Sequence, residues 1–170
     1  MANTFIKIQT VTVGTGGAAT IGFTSIPQTY SDLKIVLSSR SGVADTSELG
    51  LFSFNGLTTN FTSYYMFGSG NLNSVASQNG TRTAGVIQGN STTASIFGNF
   101  EIYIPNYTSS NNKSFNGESV TENNASEALA YFVTGVWANT AAITSITLTP
   151  NGGTNFREFS TATLYGIKNT

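Results

Sequence analysis

The sequence predicts an all-β protein: a single-domain antiparallel β-sandwich, jelly-roll-like, of about eight to ten strands. Three observations predict it. Apolar and polar residues alternate along much of the chain, which is the period of a strand with one face on a core. Thr, Ser and Asn supply 64 of 170 residues, and these short polar side chains suit strand faces and turns better than helix interiors. Turn signals built on Gly, Pro and Asn punctuate short apolar runs, and no segment holds a strong helical spacing.

Strands are expected over 5–13, 18–24, 31–39, 49–55, 60–67, 95–104, 114–121, 128–138, 143–149 and 159–167. The Gly-rich "VGTGGAAT" after the first reads as a hairpin turn. It lacks the lysine of a phosphate-binding loop, and strand residues follow it. Pro27 cannot donate to a central ladder, so "IPQTY" marks a corner. In the strand after it, Leu33, Ile35 and Leu37 share one face and Lys34, Val36 and Ser38 the other. Ile35→Ala is therefore expected to cost about 2–5 kcal/mol. Lys34→Ala and Arg40→Ala are expected to cost little outside a subunit interface, since "SRSGVADTS" reads as a polar loop. Tyr64 and Tyr65 are adjacent in a strand, so one of them points outward.

Residues 68–94 form the longest irregular segment, too polar for a core, in which "AGVI" adds at most a short edge strand. Loops of that length tend to be functional or held by a partner. In "SIFGNFEIYIP", Ile96, Gly98, Phe100, Ile102 and Ile104 form the core face, opposite Asn99, Glu101 and Tyr103. "ALAYFVTGVWA" is apolar on both faces and predicts a central strand covered on each side. Within it Tyr131 and Trp137 alternate with Leu129 and Val133 and read as core.

The composition excludes much chemistry. With no Cys there is neither a disulfide framework nor a thiolate metal site. With no His the commonest general base and metal ligand are missing. The eight carboxylates, Asp32, Asp45, Glu48, Glu101, Glu118, Glu122, Glu127 and Glu158, are expected to be solvated. No calcium-loop motif occurs, and neither Lys34 nor Lys113 stands at a telling distance from a serine. An enzyme, a cofactor and a metal are therefore not expected. A net charge of −1 and a pI near 5.2 argue against nucleic acid as a partner. The most apolar window, "ALAYFVTGVWANTAAI", is too short and too polar to span a bilayer, and "MANTFIKIQTVTV" carries no signal-peptide pattern. The candidate contact residues are Tyr64, Tyr65, Tyr107 and, in the long polar segment, Arg82.

Two stretches, "FTSIPQTYSDLKIVLSSRS" and the closing "FREFSTATLYGIKNT", together with Phe54-Asn55-Gly56, resemble a recurrent family of small β proteins of tailed bacteriophages, cyanophages and other aquatic phages among them. The resemblance covers the two ends of the chain, while residues 57–157 are less diagnostic. It implies a virion structural protein with a jelly-roll-like sandwich, made in the host cytoplasm. The leading expectation is a capsid decoration (cement) protein, a homotrimer seated on the major capsid protein, with the segment 68–94 and the arm 1–4 reaching partners. The alternative is a tail-fibre or tail-tip module that binds a host surface glycan through outward aromatics. The motifs are fold signatures, and no catalytic residue is implied.

Overall fold

A computed structural model describes residues 4–69, 72–79, 81–124 and 127–168. Residues 1–3 of the proposed arm lie outside them; Thr4 accepts a backbone hydrogen bond from Lys168. The described residues contain no helix and twelve strands: β1 (Phe5–Thr12), β2 (Ile21–Phe23), β3 (Asp32–Ser39), β4 (Ser47–Phe54), β5 (Phe61–Ser69), β6 (Leu72–Asn79), β7 (Thr83–Gln88), β8 (Gly98–Ile104), β9 (Lys113–Glu122), β10 (Ala128–Trp137), β11 (Ile146–Pro150) and β12 (Thr161–Ile167). They form a wide sheet of eight strands, β1-β12-β3-β8-β9-β10-β5-β6, and a narrow sheet of four, β2-β11-β4-β7. The fold is the antiparallel sandwich that the alternation predicts.

The topology has a simple logic. With the hairpins β5–β6 and β9–β10 set aside, eight strands remain, and they pair in nested order: β4 with β7, β3 with β8, β2 with β11, β1 with β12. One long antiparallel ribbon, rolled so that successive pairs fall alternately in the two sheets, is a jelly roll. The two hairpins are insertions, and both extend the wide sheet beyond β8. That extension leaves the two sheets unequal in width.

All ten expected strands are present, with bounds within three residues of those read from the pattern. The opening corner feeds a core strand as expected. Leu33, Ile35 and Leu37 are buried, and Lys34, Val36 and Ser38 face the other way. Four expectations change.

The segment 68–94 is not one irregular loop. It holds β6, which pairs with β5 along its length, and β7, the short edge strand expected at "AGVI", whose six residues are all buried. Its polar "LNSVASQN" has no apolar face to signal a strand, yet an edge strand needs only one neighbour's backbone. "TAGVIQ" is uniformly buried because it packs across β8, β9 and β10 of the wide sheet. The Gly-rich segment is not a hairpin turn either. It carries the chain from the wide sheet to the narrow one, with Gly16 and Gly17 at φ 91° and 79°.

Arg40 is buried, not a loop side chain in water. Strand β10 is central, but only one of its faces is covered.

The core lies between the sheets and is richest in aromatics at one end. Phe52 and Phe54 of β4 meet Phe61, Phe115 and Trp137 of the wide sheet. Phe115 lies across Gly135, where a Cβ would stand 2.2 Å from its ring. Trp137 is fully buried between Phe54 and Phe61, with ring centroids at 5.4 and 5.9 Å.

Candidate functional site

The outer face of the wide sheet is where the fold departs from an ordinary sandwich. An antiparallel sheet with one solvated face normally shows polar residues on it. Here β3, β8, β9, β10 and β5 place Val36, Glu101, Glu118, Phe132 and Met66 in one cross-strand row. Val120 and Ala130 form the adjacent pair. Val36, Met66, Val120 and Phe132 are 41%, 54%, 44% and 48% exposed. Together they line a shallow groove of about 940 Å³. Tyr64 and Val136 continue the apolar surface along β5 and β10. The patch carries little charge. Lys34 pairs with Glu101 at 2.8 Å, which leaves Glu118 as the nearby carboxylate.

Beside this face Asp32 is buried, contrary to the expectation of a solvated carboxylate. It caps the loop after β8, accepting from the Tyr103 hydroxyl at 2.7 Å and from the Asn106 amide at 2.9 Å. Burial, then the Asp32 hydrogen bond and charge, push the Tyr103 phenol up to about 12. An unfolded tyrosine titrates near pH ~10, so the fold favours the protonated phenol. Its contribution to stability is present below that pH and is lost as pH rises toward 12. Phenolate absorbance should show Tyr103 among the late-titrating tyrosines of the parent, with the buried Tyr107 and half-buried Tyr131, and Asp32→Asn should bring one of the three earlier.

The four residues singled out from sequence do not converge. Tyr64 faces outward at the margin of the apolar face, and its neighbour Tyr65 turns inward against the core, beside Tyr131 at 5.4 Å. Tyr107 is a correction: it is fully buried, its hydroxyl donating to the Pro27 carbonyl, so it fixes the corner and offers nothing to a partner. Arg82 is half-buried, donating to the Phe52 carbonyl at 3.2 Å, and burial lowers its pKa. Tyr131, expected in the core, is half-buried on the overhanging inner face of the wide sheet.

Two buried cations are structural. Arg40 donates to the carbonyls of Asn90, Thr92, Thr93 and Ile96 and to the Thr92 hydroxyl, at 2.9–3.2 Å. Lys113 donates to the carbonyls of Ser109, Asn111 and Thr140, and its burial lowers its pKa. Among the described residues no group of three Asp or Glu side chains is placed to hold a metal. No helix is long and apolar enough to cross a membrane, again among the described residues.

The signal for the apolar face was present in the sequence. Phe132 and Val136 are what make "ALAYFVTGVWA" apolar on both sides, and Val36 breaks an otherwise polar face. That pattern admits two explanations, cover by the chain's own layers or a surface left for something else. No family model matches the chain, and no curated protein or solved structure matches it significantly. What the geometry defines is a fold class and a surface: a jelly-roll sandwich with a widened sheet and a bare apolar face.

Proposed function

We propose that the chain is a structural protein of a bacteriophage virion, a capsid decoration protein that packs on the outer shell as a homotrimer. The outer face of the wide sheet is the observation that carries this reading. Contiguous exposed apolar surface on a soluble β protein favours a protein partner. The patch has a sheet backbone beneath it, and two of its three charged groups, Lys34 and Glu101, already pair with each other, both of which suit packing against a sister chain. The edges support the same reading. Strands β1 and β6 end the wide sheet, β2 and β7 the narrow one, and the described edge residues carry few of the charges that protect edges. The resemblance of the two ends of the chain to phage virion proteins supplies the virion and the major capsid protein as the partner. No nucleic acid, membrane or cofactor is part of the proposal.

Quantifying this chain in purified virions tests the reading. A decoration protein should be present in hundreds of copies, comparable with the capsid protein itself. A handful of copies per particle would move the protein to the tail, where glycan binding through outward aromatics such as Tyr64 is the competing role.

A further inference from the structure

At one end of the sandwich a second concavity, of about 800 Å³, opens between the crossover from β1 to β2, the loop after β7 and the turn before β12. Its rim carries an aromatic ring in an unusual place. Residues 157–160 form a β-turn closed by the Ser160 amide donating to the Arg157 carbonyl at 3.1 Å. Phe159 occupies the third position with φ 71°, where a turn of this kind ordinarily takes glycine. Seven non-glycine residues take positive φ among the described residues; four are Asn, two are Ser, and Phe159 is the one bulky side chain. Asn tolerates that region, and a large side chain does so only under strain. The ring gains little from the fold in return, since Phe159 is 68% exposed. The turn is nonetheless held firmly, with Phe159 donating to the Val13 carbonyl at 2.9 Å and Arg157 to the Arg40 carbonyl at 2.7 Å.

The chemistry beside the ring is polar and cationic. The charged lining residues are Arg40, Arg157 and Glu158, an excess of one positive charge on a chain whose net charge is −1. Arg40 is saturated by the 90–96 loop. Glu158 accepts from Thr15 at 2.9 Å. The Arg157 side chain is exposed and has no ion-pair partner among the described residues. Asn90, Thr154 and Asn155 add amide and hydroxyl groups to the wall.

We propose that this pocket binds a sugar bearing a carboxylate, with the ring face of the sugar on Phe159 and its carboxylate on Arg157. An exposed aromatic face carried on a hydrogen-bonded turn suits the C–H face of a pyranose. A planar guanidinium suits a carboxylate bidentately. The mixed donors and acceptors of the wall suit hydroxyl groups. The inference is independent of the outer face of the wide sheet and of the decoration role.

Saturation-transfer NMR on the 170-residue chain with D-glucuronic acid, D-galacturonic acid and N-acetylneuraminic acid tests it, with D-glucose as the neutral control. At least one acid should bind in the millimolar range, roughly tenfold or more tighter than glucose, and weaken as salt rises. Arg157→Gln should abolish the preference for the acid. Phe159→Gly should abolish binding while leaving the melting temperature unchanged or higher, because glycine relieves the turn. Absence of binding by every acid would overturn the proposal, as would equal binding of glucose. So would a Phe159→Gly protein that binds like the parent, or one that melts well below it, since the ring would then serve the fold. Binding of a poly-glutamate peptide but no sugar would assign the pocket to a protein partner and would equally overturn it.

Discussion

Trp137→Ala should lower stability by about 3–5 kcal/mol, the range for emptying a large aromatic site in a tight core. For a chain of this size that is a fall of roughly 10–15 °C in melting temperature. The indole closes the aromatic end of the core, stacked on Phe61 and set edge-on to Phe54. Its removal would leave Phe54 and Phe61 beside a void that strands on both sides hold open. Among the described residues the buried indole Nε1 has no hydrogen-bond partner, so part of what Trp137 contributes is already offset. Trp137→Phe keeps most of the ring contact and removes the unpaired donor, and it should cost less than ~1.5 kcal/mol. Thermal melts of the parent and both variants check the pair. Equal losses for Ala and Phe would mean that the indole nitrogen, not the packing, is what the site uses.

The second large effect is expected at Arg40. Its guanidinium makes five hydrogen bonds, four to main-chain carbonyls, and these hold the 90–96 connection between β7 and β8. Hydrogen bonds from a charged group contribute roughly 1.5–3 kcal/mol each and are not additive. Arg40→Ala would leave those acceptors to find water and would open space beneath the loop, and a loss of about 3 kcal/mol or more should follow. Arg40→Lys keeps the charge and loses the fork geometry that reaches both Nη1 and Nη2 acceptors, so it should recover only part of the loss. Chemical denaturation of the three proteins gives the comparison. A denaturation curve for Arg40→Ala that matches the parent would contradict the stapling role.

The parts of the fold that were legible in the sequence are those where one face is buried and the other wet. The alternation through Leu33–Ile35–Leu37 and Phe100–Ile102–Ile104 gave strands and facing correctly, because burial on one side enforces a period of two. Strand β6 was hidden because its polar "LNSVASQN" obeys backbone pairing and shows no apolar period. Arg40 was misread for a related reason. A cation next to Ser and Gly looks solvated, and only the return of residues 90–96, fifty positions later, supplies the carbonyls that bury it. Tyr107 shows the limit for site residues. An aromatic in "IPNYTSS" is equally consistent with a contact and with a core plug, and the long-range partner at Pro27 decides. The apolar outer face was half legible. The two-sided apolarity of β10 was plain, but whether a further layer covers its outer face depends on how the remaining strands are shared between the sheets, which no local pattern encodes.

The central claim is that this bare face is a surface for sister chains. Light scattering coupled to size-exclusion chromatography, on the parent and on Phe132→Lys, tests it most directly. Phe132 is half exposed in the middle of the patch, so lysine there should change the melting temperature by only a few degrees, within the ~1 kcal/mol span of strand preferences. The account predicts that the parent runs with the mass of three chains and that Phe132→Lys runs as a folded monomer. A parent that is monomeric at every concentration, or a lysine variant that keeps the trimer mass, would contradict it.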